Sequence, residues 1–150
     1  MNIIEVWTDG GSRNNGRKDA VGGYGVVLKY GDYKKELYES FVGVTNNQME
    51  LKGVVVALEN IKTTHIPIKI YLDSAYVVNG INNWVKNWKK RGWKKGNGRE
   101  PENLELWKRL DKLVSMQDNI KFIKVKGHAD NDGNNRADEL ANIAMDEVDT

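Results

Sequence analysis

Four carboxylates in this chain stand in contexts that suit a shared chemical task. They are Asp9 in Trp7-Thr8-Asp9-Gly10-Gly11-Ser12, Glu50 in Thr45-Asn46-Asn47-Gln48-Met49-Glu50-Leu51, Asp73 in Tyr71-Leu72-Asp73-Ser74, and Asp138 in Asn135-Arg136-Ala137-Asp138-Glu139-Leu140. A glycine-flanked histidine, His128, lies ten positions before the last of them. Carboxylates gathered without basic partners repel one another and destabilise a fold. Hard oxygen ligands of this kind suit Mg²⁺ or Mn²⁺. Two such ions can hold both the attacking and the leaving oxygen of a phosphodiester.

Each residue also has a plainer reading. Asp9 could be an acidic turn residue that closes a strand, and Asp73 a helix N-cap beside Ser74. Glu50 and Asp138, both near predicted helix starts, suit the helix dipole there. A lone histidine such as His128 is more often structural or solvated than catalytic. The functional reading gains weight when the acids are taken together. If the strands ending at Asp9 and Asp73 are neighbours, both carboxylates reach the sheet edge where α/β folds bind ligands. His128, in a loop rich in Gly, Asn and Asp, could then relay protons. Asn46 and Asn47 offer amides that read base edges and ribose hydroxyls.

One segment is strongly basic. From Lys86 to Arg99 there are seven basic residues and no acidic one, with Trp84, Trp88 and Trp93 interleaved. It reads either as a solvated helix with half-buried tryptophans or as an arm that tracks phosphates. In the second reading Lys89, Lys90, Arg91 and Lys94 contact a polyanion, and Trp93 adds an aromatic surface.

The elements that must position these residues follow from hydropathy periodicity. Asn2 to Thr8 alternates as a strand, and Gly10 to Gly23 reads as a loop. Tyr24 to Tyr30 and Tyr33 to Val42 form a hairpin about Gly31-Asp32. A helix capped by Asn46 or Asn47 runs to about Lys62, with Leu51, Val54, Val55, Leu58 and Ile61 on one face. Pro67 to Leu72 is a buried strand. Ala75 to Lys90 is helical with a break at Gly80. Glu102 to Met116 is a helix, Ile120 to Val125 a strand, and Asn134 to about Val148 a final helix. The order βββαβαααβα predicts an α/β fold with a mixed sheet flanked by helices.

The 150 residues suit a single domain, 1–150. The absence of cysteine excludes disulfides, thiolate metal sites and cysteine nucleophiles. Net charge is only +2, so the balance excludes no partner. No secretory or membrane-spanning signal is legible, and the expectation is a cytoplasmic monomer.

Taken in order, these motifs resemble a type 1 ribonuclease H of the bacterial kind with a basic protrusion. The resemblance rests on Thr8-Asp9-Gly10, Gly22-Gly23-Tyr24-Gly25, Thr45 through Leu51, Asp73-Ser74, Asn87 through Trp93, Val125 through Ala129, and Asn134 through Ala141. It implies a ribonuclease H-like five-stranded mixed sheet. It also implies cleavage of the RNA strand of an RNA–DNA hybrid, leaving 5′-phosphate and 3′-hydroxyl ends. Two Mg²⁺ ions, with Mn²⁺ as a substitute, are assigned to Asp9, Glu50, Asp73 and Asp138. His128 is assigned the proton relay, and Asn46 and Asn47 the RNA minor-groove contacts. Thr45 with an amide from the first loop, Asn14 or Asn15, is assigned a DNA-phosphate pocket, and Trp84 a DNA-side contact. The first loop is longer than in the common bacterial pattern, and Ala75 stands where many relatives carry Gln. A DNA-cutting relative on the same fold and a non-catalytic hybrid-binding module are the rival readings. The basic segment with Asn46 and Asn47 argues against the first, and the four acids against the second.

Overall fold

The computed structural model describes residues 2–126 and 132–149. Strands β1 (Ile4–Arg13), β2 (Val21–Tyr30) and β3 (Tyr33–Val42) form an antiparallel meander. β4 (Ile68–Leu72) pairs parallel to β1, and β5 (Ile120–Lys124) parallel to β4. The resulting mixed sheet has the order β3-β2-β1-β4-β5. Five helices, α1 (Asn46–Glu59), α2 (Ala75–Asn79), α3 (Val85–Lys90), α4 (Leu104–Ser115) and α5 (Asp132–Asp149), complete the described chain. This is the α/β architecture expected from the sequence.

The main core lies on one face of the sheet. Ile4 and Val6 of β1 and Ile68, Ile70 and Leu72 of β4 pack against Leu51, Val54 and Leu58 of α1 and Trp107 and Leu110 of α4. The period-2 alternation of the strands and the 3.6 period of α1 and α4 supply this face. On the opposite face α5 covers β1, β2 and β3, with Val27, Ala137 and Leu140 buried and Trp7 at their margin.

Several boundaries differ from the sequence expectation, each for a tertiary reason. β1 runs through Gly10 to Arg13, which pairs with Val21. The glycine-rich stretch is therefore an extended hairpin arm rather than a loop. Glycine permits this because neighbours crowd the strands. A Cβ on Gly25 would strike the backbone of α5, and one on Gly22 the Val44 side chain. The N-cap of α1 is Thr45, not Asn46 or Asn47. Its hydroxyl accepts from the Gln48 amide at 3.1 Å, while Gln48 Oε1 accepts from the Thr45 amide at 3.4 Å. This reciprocal pair satisfies two orphan donors at once, which a lone asparagine would not. Gly80 does not break its helix. A π-helical turn, Gly80–Trp84, joins α2 to α3. Glycine is needed there because any Cβ would collide with the Trp107 indole. α5 begins at Asp132, so Asp138 lies in its second turn rather than its first.

Candidate active site

Asp9 lies on β1, and Asp73 follows the last residue of β4. Because β1 and β4 are parallel neighbours, both acids arrive at the same edge of the sheet. α1 lies across β1 and brings Glu50 to the pair. Gly10 makes that approach possible, since a Cβ there would meet the backbone of Met49 and Glu50. Asp9, Glu50 and Asp73 each offer an oxygen, and all three lie within 4.8 Å of one another. Asp138 joins from α5 through a side-chain hydrogen bond to Asp9. The four acids line an open depression of about 540 Å³, with Asn46 and Asn47 on its wall.

The electrostatics are those of an ion site. The Asp9 carboxyl is pushed up to about 8. Burial is the largest cause, followed by the hydrogen bond to Asp138 and the charges of Asp73 and Asp138, with the Gly10 backbone opposing. Glu50 is pushed up to about 9, again mainly by burial and then by the Asp9 and Asp73 charges. Desolvation thus exceeds the mutual repulsion that the sequence alone suggests. Glu50 Oε2 is buried and has no hydrogen-bond partner. An unpartnered buried carboxylate oxygen is costly, and a cation beside it offsets that cost. The donor set therefore fits a hard divalent metal.

The flanking residues are partly engaged already. Asn15 Oδ1 accepts from the Asn46 backbone N–H at 3.0 Å, and Asn46 Oδ1 accepts from the Ser12 backbone N–H. Neither contact uses the side-chain NH₂ of Asn46. Asn14 sits at φ 61 in the turn after β1 and is exposed. Thr45 spends its hydroxyl on the helix cap. His128 lies outside the described residues.

The tryptophans of the basic segment turn inward. Trp84, Trp88 and Trp93 are half-buried against the main core. Trp84 meets Tyr76 edge-on at 5.5 Å, and Trp88 meets Trp107 at 5.7 Å. Lys108 lies 6.0 Å over the Trp93 ring. Lys90, Arg91 and Lys94 are exposed, whereas Lys89 pairs with Asp111 at 3.2 Å. Sequence reasoning missed Tyr76. It lines the acidic depression and its hydroxyl accepts from Asn103 and from the Trp107 indole, at 3.1 and 3.0 Å. Its place one helical turn after Asp73 was the available signal.

The model of the RNase H family matches residues 1–146. The chain belongs to the ribonuclease H family. It is 50% identical to the ribonuclease H of Clostridium botulinum (strain Hall) over 148 residues, covering 98% of each chain. Among solved structures it is similar to LC9-RNase H1, described as a type 1 RNase H with the type 2 active-site motif. That likeness has a TM-score of 0.85 at 30% identity and covers 98% of this chain and 74% of that one. LC11-RNase H1, solved in complex with RNA/DNA hybrid, is alike in fold, with a TM-score of 0.73 at 24% identity over 98% and 99% of the two chains. Ribonucleases H are metal-dependent endonucleases, so the chain is an enzyme of that class and hybrid-degrading activity is implied. No helix among the described residues is long and apolar enough to cross a membrane.

Proposed function

We propose that this ribonuclease H hydrolyses the RNA strand of RNA–DNA hybrids internally and leaves 5′-phosphate and 3′-hydroxyl ends. The observation that carries the reading is the convergence of Asp9, Glu50 and Asp73 on one point, with an unpartnered oxygen of Glu50 buried beside it. Binding a polyanion gives no reason to place negative charge in its path, so these acids argue for cations and chemistry. Asp9, Glu50, Asp73 and Asp138 would hold two Mg²⁺ ions, for which Mn²⁺ could substitute. When bound, such ions supply an activated water and stabilise the departing 3′-oxygen.

The chain's own residues select and orient the substrate. The Asn46 amide, its oxygen held by Ser12, presents a donor to acceptors in the RNA minor groove, with Asn47 beside it. Thr45 and the first-loop amides Asn14 and Asn15 would grip a DNA phosphate, and Trp84 would touch the DNA strand. Lys90, Arg91 and Lys94 of the basic segment would follow the backbone, with Trp93 adding an aromatic face. Lys89 contributes less because Asp111 already holds it. His128 would carry a proton between solvent and the reacting oxygens. The protein would act as a cytoplasmic monomer formed of one domain.

The test uses end-labelled hybrid, duplex RNA and duplex DNA, each with Mg²⁺ and with chelator. RNA-strand cleavage of the hybrid alone, and only with metal, is the expected result. Cleavage of duplex DNA would favour a DNA-cutting relative, and binding without cleavage a hybrid-binding module.

A further inference from the structure

Away from the cleft, the sheet carries a second concentration of like charge. Lys34, Lys29, Glu5, Lys69 and Lys121 stand in one cross-strand register, one residue from each of β3, β2, β1, β4 and β5. With strands about 4.8 Å apart, the row spans roughly 19 Å. Lysine faces lysine twice, in the Lys29–Lys34 and Lys69–Lys121 pairs. Like charges directly opposite one another destabilise a sheet. The row's one acid, Glu5, accepts from the Tyr71 hydroxyl at 3.0 Å. Lys34 has Glu36 at 3.6 Å, but Arg136 already grips that carboxylate at 2.7 and 3.0 Å. Lys29, Lys69 and Lys121 form no ion pair among the described residues.

Protection of sheet edges explains only part of this. Lysines on edge strands block strand addition, which accounts for Lys34 on β3 and Lys121 on β5. Lys29 and Lys69 lie on interior strands, where no edge needs guarding. The side-chain alternation places Glu5, Trp7 and Asp9 on one face of β1, and Lys69, Tyr71 and Asp73 on the same face. The row thus shares a face with Asp9 and Asp73, roughly 13 Å away at about 3.3 Å per residue. Beside Glu5, Lys29 and Lys69 is a shallow depression of about 290 Å³. Between row and cleft, Trp7 and Tyr71 stack on each other with centroids 5.3 Å apart. Beside this stack a depression of about 370 Å³ is lined by Trp7, Val27, Lys29, Lys34, Asp132 and Arg136, so two lysines of the row border a surface of mixed charge.

We propose that this lysine row is a second polyanion-contact surface, which takes the phosphate backbone of the nucleic acid beyond the part held in the cleft. The proposal rests on the ribonuclease reading for the identity of its ligand. Ammonium groups set in two pairs on either side of Glu5 suit phosphates as point charges, with no demand on base sequence. The like-charge pairs then have a use, because counterion release on binding offsets their repulsion.

The test compares the Lys29→Gln/Lys69→Gln/Lys121→Gln variant with wild type and with the corresponding Lys→Arg variant. Two hybrids of about 8 and about 30 base pairs are used, roughly 27 and 100 Å long at about 3.4 Å per pair. Binding is read by fluorescence anisotropy in chelator, and cleavage by KM and kcat with Mg²⁺. For the long hybrid, the Gln variant should lose affinity at low salt, and its salt slope should fall by about 1 per lysine. Between about 50 and 200 mM salt, the wild-type advantage should then shrink roughly sixtyfold. Binding of the short hybrid and kcat on either hybrid should not change, and the Arg variant should match wild type. The Gln variant should also melt no lower than wild type at low salt, because opposed charges are removed. An unchanged salt slope on the long hybrid, or equal losses on both lengths, overturns the proposal. Failure of wild type to cut either hybrid would strike the ribonuclease reading instead, while anisotropy would still report on the row.

Discussion

Two clusters of like charge stand on one sheet and obey different physics. The carboxylates of the cleft are partly desolvated, and burial drives Asp9 and Glu50 far above the ordinary carboxylate range. Lys29, Lys34 and Lys121 stand in solvent, where high dielectric and salt screen their repulsion. The cleft stores its cost as a demand for cations. The lysine row carries a smaller cost and fits an anion. Gathered charge therefore indicates the ligand's sign, and burial decides how strongly the fold depends on that ligand.

The two clusters should differ most when the cleft acids are neutralised. Asp9→Asn, Glu50→Gln and Asp73→Asn should each lower turnover on hybrid by more than about 10³-fold, a loss of about 4 kcal/mol in transition-state stabilisation. Far-UV circular dichroism should show the fold retained. Near-wild-type rates in any one would remove that residue from the site.

A smaller loss is expected at His128. His128→Ala should cut kcat by about 10²–10⁴-fold without silencing the enzyme, because water can partly replace a proton relay. Exogenous imidazole that restores part of the rate would identify the relay directly. An unchanged kcat would return the histidine to a structural role.

The basic segment should behave as the lysine row does, and not as the cleft does. Lys90→Gln/Arg91→Gln/Lys94→Gln should raise KM and leave kcat nearly unchanged. The salt slope of KM should fall by about 1 for each phosphate that is no longer neutralised. Lys89→Gln alone should have a weaker effect, since Asp111 already holds that ammonium. Equal effects of Lys89 and Lys90 would mean that the ion pair opens on binding.

The subtlest effect is on stability without metal. Folded Asp9 and Glu50 hold protons up to about 8 and 9, whereas in the unfolded chain they release them near about 4. The folded state therefore binds more protons across that window, and stability falls as pH rises through it. Their favourable contribution is complete below about pH 4 and lost above about pH 9. Asp9→Asn should accordingly melt higher than wild type in chelator at neutral pH, by about 2–4 °C for each kcal/mol relieved. Its advantage should grow as pH is raised, and Mg²⁺ should stabilise it less than wild type. Thermal melts at pH 5, 7 and 9 check this. An advantage that shrinks with rising pH would show that Asp9 is not the strained group.

Much of this was legible in the sequence because it is local. Apolar periodicity located all five strands and the long helices, and the four acids could be picked out by the residues that flank them. Local context could not rank competing interactions. The capping box chose Thr45 over its asparagine neighbours, and the Trp107 indole gave Gly80 its role. Pairing with β2 extended β1 through a stretch that reads as a loop.

What the sequence determined by itself is the set of chemical groups and the type of element that carries each. Those follow from side-chain period and from the residues that flank each run. Tertiary structure decided which groups are desolvated and which stand opposite one another. The lysine row joins residues as far apart in the chain as 29 and 121, and only strand register brings them into line. Burial likewise set Asp9 and Glu50 apart as the carboxyls pushed well above the ordinary carboxylate range. Dielectric environment and register are properties of packed neighbours, and no single segment of the chain contains them.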